Sequence, residues 1–314
     1  MSFEPVVLFF VLGVAAGLLR SDLKIPGSIY DALSIYLLIA IGLKGGVKLA
    51  EHPMAEVLAS GALIVAAGAL IPLVAFPILR YLGRLSRADS ASIAAHYGSV
   101  SVVTFSVGVT FLAQELQSYE SYMIVFLVLL EMPALVIGVM LARSGQGPVR
   151  WGRLLHEVFF GKSIYLLTGA LVIGYIAGPQ GIQPLDKLFF DLFKGVLALF
   201  LLEMGLVAAG RVAEFRTYGP FLIGFALLMP LFAGLLGAFT GTLLGLSVGG
   251  TMLLSTLYAS ASYIAAPAAM RIAVPEANPA LSIGASLGVT FPFNLFIGIP
   301  VYYWMAQTLH RIGA

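Results

Sequence analysis

Apolar residues fall in runs of about twenty, separated by short polar turns, along the whole chain. That length suits helices crossing a bilayer. The runs predict ten spans, at about 5–20, 29–50, 55–82, 90–113, 121–142, 161–178, 188–210, 217–245, 248–272 and 279–309. The third, eighth and tenth are long enough to tilt or to run into a loop. The first run, Val6 to Leu19, lacks a basic start and a cleavage site, so it reads as a retained helix. No polar interruption exceeds roughly 20 residues, so no soluble domain is expected.

Basic residues set the orientation. The odd-numbered loops carry Arg20, Lys24, Arg80, Arg84, Arg87, Arg143, Arg150, Arg153, Lys162, Arg211, Arg216 and Arg271, twelve in all. The even-numbered loops and the tails carry four: Lys44, Lys48, Lys187 and Arg311. The imbalance places the odd loops in the cytoplasm and both termini outside. For a bacterial cell the compartment is the inner membrane.

The chain also repeats itself. Leu12 to Gly17 matches Ile173 to Gly178 at a shift of 161, and Ile41-Gly42-Leu43 matches Met204-Gly205-Leu206 at 163. Tyr97-Gly98-Ser99-Val100-Ser101 matches Tyr258-Ala259-Ser260-Ala261-Ser262 at 161, and Ile137-Gly138 matches Ile297-Gly298 at 160. Each match alone is weak; four in order at nearly one shift are not. The chain therefore divides into residues 1–142, a first five-helix repeat, a cytoplasmic linker 143–162, and residues 163–314, a second five-helix repeat. Five is odd, so the second copy enters the membrane from the opposite side. Inverted repeats of this kind build secondary transporters, with substrate held at the midplane by discontinuous helices. The fold expected is all-α, with ten transmembrane helices in two inverted repeats and broken fourth and ninth helices crossing at the midplane.

Composition narrows the chemistry. The 314 residues are 60% apolar and 10% charged, with a net charge of +2 and no basic patch for nucleic acid. The absence of cysteine excludes disulfides and thiolate sites. The 35 glycines suit close helix packing in lipid. Linker residues 143–162 hold four positive charges with His156 and Glu157, a composition expected of a solvated connector.

The candidate site follows from the twin serine motifs. Membrane serines commonly bond their own helix or a neighbour, for about 0.6 kcal/mol each. Here the hydroxyls coincide with the repeat and with small residues that weaken a helix. Gly98, Ser99, Ser101 and Thr104 in the fourth span, and Ser260, Ser262 and Tyr263 in the ninth, are the substrate and ion candidates. If the helices break there, carbonyls and hydroxyls at Ser101, Thr104 and Ser262 can hold Na⁺, and half-helix N-termini can hold a small anion. Intramembrane charges are costly and default to function. Glu131 can ligate a cation, carry a proton, or pair with His96 or a freed amide. His96 and Glu203 are further candidates for coupling or an ion pair. Lys44 and Lys48 read as snorkelling side chains. Arg271 marks the cytoplasmic end of the ninth span and can draw anions inward.

The motifs resemble a known family. Ala259-Ser260-Ala261-Ser262-Tyr263-Ile264-Ala265-Ala266-Pro267, then Arg271, Val274-Pro275, Ala277-Asn278-Pro279, Ile283-Gly284, Pro292 and Ile299-Pro300, resemble the end of the sodium-dependent bicarbonate permeases. Ile41 to Gly46, Gly98-Ser99-Val100-Ser101 with Thr104, Glu131 to Val136, Met204-Gly205 and Arg211 fit as well. The resemblance implies Na⁺-coupled bicarbonate import, and no cofactor beyond the coupling ion. It implies a core of spans 3–5 and 8–10 moving against a scaffold of spans 1, 2, 6 and 7, which in the family builds a homotrimer. Three features depart from the cyanobacterial members. Tyr263 stands where they have Asp, Val102-Val103 stands for Gly-Ser, and the linker is much shorter, so a PII-like regulator is not carried over. Another small anion, or H⁺ coupling through Glu131 and His96, stays open on the same fold.

Two other functional classes make different demands on the sequence. A membrane enzyme needs a nucleophile–base pair or metal ligands at depth. Of His52, His96, His156 and His310 only His96 lies well inside a span, and no HExxH or paired-Asp motif occurs, so no enzyme is expected. A passive channel would show a flux that does not saturate.

Overall fold

The structure, a computed structural model, describes residues 5–51, 54–144, 160–212 and 215–313, with positions 152 and 156. The linker residues 145–151, 153–155 and 157–159 lie outside it. Every regular element among the described residues is helical. Eight helical stretches there are long and apolar enough to cross a membrane. Two further apolar helices are shorter: α1 (Pro5–Leu18) and α11 (Val248–Ala259).

By contact the chain forms two compact units. The first comprises Met1–Met54 and Tyr165–Thr217; the second comprises Ala55–Ile164 and Tyr218–Ala314. The first unit contains α1, α2 (Gly27–Leu49), most of α8 (Lys162–Ile182) and α9 (Phe193–Val212). Its helices meet backbone to backbone at the glycines that repeat in the sequence. A Cβ on Gly205 of α9 would run into the Phe10 carbonyl and lie 2.8 Å from the Val14 nitrogen of α1, and one on Gly13 would meet the Leu202 carbonyl. A Cβ on Gly42 of α2 would lie 2.6 Å from the Leu167 carbonyl of α8, and Gly174 faces Leu43 in return. In lipid, where apolar side chains gain little by leaving their surroundings, such approach supplies the packing. Around it Leu43, Val47, Ala170 and Ile182 form a core.

The second unit holds nearly all of α3 (Met54–Gly68), with α4 (Leu70–Pro77), α5 (Arg87–Gly98), α6 (Val102–Gln114) and α7 (Met123–Arg143). It also holds most of α10 (Phe215–Leu243), with α11, α12 (Ala265–Ala273), α13 (Pro279–Ile283) and α14 (Ile299–Gly313). Two of the three long stretches contain irregular winding, and the other has a break near its start. The third continues past Pro77 as a π-helix over Ile78–Leu82. The tenth winds as π-helix at Gly284–Thr290 and Asn294–Gly298. In α10 the helix restarts at Gly219, whose φ of 73° precedes Pro220. The residue before proline avoids the helical region, and glycine alone takes this turn without strain.

Both halves of the sequence tie into this unit through equivalent bonds. Tyr258 Oη donates to the Ile64 carbonyl of α3. Tyr97 Oη bonds Thr290 Oγ1 at 2.7 Å, and Thr290 Oγ1 bonds the Ala226 carbonyl of α10 at 2.7 Å. A carbonyl only accepts, so the Thr290 proton points to Ala226 and Tyr97 is the donor to Thr290. The tyrosines stand 161 positions apart and the two carbonyls 162. The broken helices are also capped alike. Ser86 accepts from Asp89 N at the start of α5, and Ser247 from Gly250 N at the start of α11. Each start is held by a loop from the other half. Asp89 Oδ1 accepts from Asn278 N (2.7 Å), and Glu120 Oε1 accepts from Ser247 N (2.6 Å).

Candidate functional site

Two helices stop and restart at the serine motifs. α5 ends at Gly98, where a Cβ would lie 2.7 Å from Pro72 Cδ and 2.8 Å from Ala134 Cβ. Ser99 and Ser101 are extended, with φ and ψ of −90° and 158°, and of −114° and 113°. α6 then begins, and Ser101 Oγ caps it by accepting from Thr104 N at 3.2 Å. On the other side α11 ends at Ala259, Ser260 is extended, and α12 begins at Ala265. There Ser262 Oγ accepts from Ala266 N at 3.2 Å. Local chemistry explains both breaks. Serine offers its hydroxyl to nearby backbone N–H groups and so competes with the helix, while Gly98 permits the close contact.

The breaks are bonded to each other. Ser101 N donates to Ser260 Oγ at 2.9 Å, and Ser262 N donates to the His96 carbonyl at 2.8 Å. Ser260 Oγ in turn donates to the Leu257 carbonyl at 2.7 Å, so its proton is committed. Asn294 closes the arrangement. Its Nδ2 donates to the Ala259 carbonyl, at the end of α11, at 2.9 Å, and its Oδ1 accepts from Tyr302 Oη at 2.7 Å. Helix-end carbonyls lack a partner in the helix, and one buried without a substitute is costly.

The structure therefore brings Gly98, Ser99, Ser101, Thr104, Ser260 and Ser262 into two adjoining buried links. Thr104 Oγ1 is buried and has no hydrogen-bond partner among the described residues. Ser99 Oγ reaches the Glu131 carbonyl only at 3.4 Å. Tyr263 packs edge-on against Phe291, ring centres 5.2 Å apart. Glu131 is 3% exposed and its Oε2 has no partner. His96, 1% exposed, bonds the Ser92 carbonyl through Nδ1 at 2.7 Å and leaves Nε2 without a partner. The two do not pair with each other as the sequence allowed, because His96 turns along its own helix. Glu203 belongs to the first unit and also keeps a buried Oε2 without a partner. Lys48 pairs with Glu51 at 3.0 Å on the surface.

Residues 5–307 match the family model of the Na⁺-dependent bicarbonate transporter superfamily. The chain belongs to this family. No curated protein matches it significantly. As a family member with eight apolar membrane-length helices among its described residues, it is a multi-pass membrane protein. The family is one of transporters, in keeping with the expectation that it is not an enzyme.

In this superfamily member the sequence marks Asn294 as a polar residue of the last span but not what it bonds, and it does not mark Tyr302 or Pro72, the other supports of the serine links. Asn294 and Tyr302 sit in the last span and Pro72 in the third. The signal for Asn294 was present, since an amide inside an apolar stretch needs partners, but nothing local says which. A cavity of about 720 Å³ also adjoins the breaks, lined by Ser92, His96, Ile264, Pro267 and Arg271 among others.

Proposed function

We propose that the protein imports bicarbonate together with Na⁺ by alternating access. The observation that carries this reading is the mutual bonding of two broken helices at Ser101–Ser260 and Ser262–His96. Discontinuous helices that meet in this way are where inverted-repeat transporters hold substrate and ions. The equivalent tyrosine anchors and paired caps support reading the chain as two inverted five-helix repeats with ten spans. The serine caps take one N–H each in the first turns of α6 and α12, and Pro267 has none to offer; the remaining first-turn N–H groups, mainly those of α6, suit a small anion. Na⁺ prefers oxygen ligands. Thr104 Oγ1, Ser101 Oγ and Ser262 Oγ supply them, Thr104 Oγ1 with no other engagement. In this reading the second unit carries the cargo, the first is the scaffold and trimer contact, and residues 143–162 form the cytoplasmic linker.

The experiment is uptake of ¹⁴C-bicarbonate into proteoliposomes under an inward Na⁺ gradient, then with K⁺ in its place. Saturable uptake that needs Na⁺ is expected. Equal uptake in K⁺ would sink the coupling, and a flux that does not saturate would favour a channel.

One observation favours a second reading, coupling to H⁺: Glu131 is buried with Oε2 unengaged. Glu131→Met separates the two. A buried carboxyl is expensive and methionine matches its length, so the variant should unfold at a higher temperature, by about 1 kcal/mol of added stability. Na⁺-driven uptake should persist. If a proton gradient drives the wild type and Glu131→Met abolishes uptake, the proton reading replaces the sodium one.

A further inference from the structure

The half-helix that follows the second serine link is gripped at its far end. α12 has nine residues, Ala265–Ala273, and is about 13 Å long. Neither end runs on into another helix. At its start Ser262 Oγ accepts from Ala266 N, beside the bond from Ser262 N to the His96 carbonyl of α5. At its end the last carbonyls have no partner within the helix. Arg143, the last residue of α7, supplies one. Its Nε and Nη2 both donate to the Ala273 carbonyl, at 3.2 and 2.8 Å, and its Nη1 donates to Glu276 Oε1 at 3.1 Å. A planar guanidinium can fork onto one oxygen and still reach a carboxylate; an ammonium offers no such fork. Its charge also suits the negative end of a helix.

The two acceptors do not weigh equally. The Glu276 side chain is 55% exposed, and exposed ion pairs contribute little. The grip on the Ala273 carbonyl is what holds α12. The other half of the sequence is arranged alike. At a shift of 160, the shift that aligns Ile137-Gly138 with Ile297-Gly298, Arg143 corresponds to Tyr303. Tyr303 of α14 packs edge-on against Phe111 in the last turn of α6, ring centres 5.6 Å apart. The last span of each half thus meets the far end of the other half's short helix, once by charge and once by an aromatic ring. A contact made twice at corresponding places belongs to the plan of the two breaks rather than to one turn.

We propose that Arg143 is a positioning residue for transport: by holding the Ala273 end of α12 it keeps the Ser262 end seated against α5 for cargo and Na⁺. This role rests on Na⁺-coupled bicarbonate transport as the function and adds a residue that acts on the site from a distance. A short rod with a non-helical link at each end carries a tilt at Ala273 to Ala266. Without the grip, α12 is seated only part of the time. Cargo and Na⁺ bind the seated form, so apparent affinity falls by the seated fraction, and saturating ligand restores the rate.

The test compares wild type, Arg143→Met, Arg143→Lys and Glu276→Gln in proteoliposomes, with thermal unfolding as the check on folding. In Arg143→Met the bicarbonate KM and the half-maximal Na⁺ should rise together, about ten-fold, while the maximal rate stays within about two-fold. A merely structural loss would instead lower the maximal rate and leave both concentrations alone. Arg143→Lys keeps the charge without the fork and should fall between, about three-fold up. Glu276→Gln should stay within about two-fold of wild type, since it removes only the exposed pair. Wild-type KM and half-maximal Na⁺ in Arg143→Met, whatever its maximal rate, would reduce Arg143 to a structural contact and leave the transport reading standing. If Arg143→Met does not fold, Arg143→Lys decides: a KM no higher than that of Glu276→Gln overturns the proposal. If wild type takes up no bicarbonate, the transport reading falls, and labelling decides whether Arg143 positions α12. The chain has no cysteine of its own, so Ala265→Cys, at the start of α12, is a single target for a thiol reagent. Adding Arg143→Met should speed its labelling several-fold, and adding Glu276→Gln should not; equal rates in all three would overturn the proposal.

Discussion

Asn294→Leu is expected to destabilise the protein by on the order of 3 kcal/mol and to abolish uptake. Leucine nearly matches asparagine in shape, so the loss is of hydrogen bonds rather than volume. Two groups are stranded: the Ala259 carbonyl at the end of α11 and the Tyr302 hydroxyl. Asn294 and Tyr302 are both fully buried, so water does not replace the amide. Each orphaned buried group costs about 1–3 kcal/mol. Transport fails because Ala259 precedes Ser260, the acceptor for Ser101 N. Tyr302→Phe should cost less, about 1 kcal/mol, since it removes one bond and leaves the amide on its carbonyl. In the double variant the two changes should not add, because the hydroxyl that Asn294→Leu strands is gone. Thermal unfolding in detergent reads both. A stability for Asn294→Leu within 0.5 kcal/mol of wild type, as is roughly usual for an inert site, would remove Asn294 from the account.

The second large effect is at Gly98. Gly98→Val should leave protein that folds poorly and carries nothing. The Cβ meets the Pro72 ring and Ala134, neither of which has a flexible end to swing aside. Overpacking costs about 1–3 kcal/mol for the first extra carbons, and valine adds two more. The backbone must yield, and it yields where Ser99 to Ser101 are placed. Ser99→Ala is the contrast. Its hydroxyl makes one long contact, at 3.4 Å, so this variant should unfold within about 0.5 kcal/mol of wild type. Thermal unfolding and uptake of the two variants, side by side, check the difference. Equal behaviour of Gly98→Val and Ser99→Ala would mean that the end of α5 is not held by Pro72 and Ala134.

Much of this was legible in the sequence because it is local or periodic. Gly98, Ser99 and Ser101 announce a weak helix within five residues, and the twin motif announces its partner. The glycines of the first unit are legible for a related reason: Gly13, Gly42, Gly174 and Gly205 recur because bare backbone is needed where helices touch. What stayed hidden depends on which distant faces meet. Tyr97 and Thr290 are 193 residues apart, and Asn294 and Ala259 are 35 apart. Helical periodicity tells which residues share a face, but not what that face meets. The same limit explains His96. Its neighbours in sequence left open a pairing with Glu131, yet the ring bonds Ser92 one turn back and buries Nε2 away from any described partner. Span length was ambiguous as well. Extra residues in the third and tenth spans read equally as tilt, loop or the π-helical winding the structure has.

In the proposed mechanism the two bonded breaks hold cargo and Na⁺ together. The most direct measurement is the Na⁺ concentration for half-maximal ¹⁴C-bicarbonate uptake in wild type, Ser101→Ala and Ser262→Ala. Each alanine removes an oxygen proposed for Na⁺ and leaves one first-turn N–H without its cap. Half-maximal Na⁺ should rise about ten-fold or more in each, or uptake should be lost, in protein that still unfolds cooperatively. Wild-type Na⁺ dependence and wild-type bicarbonate KM in both variants would contradict it, and would move the site away from the two serine links.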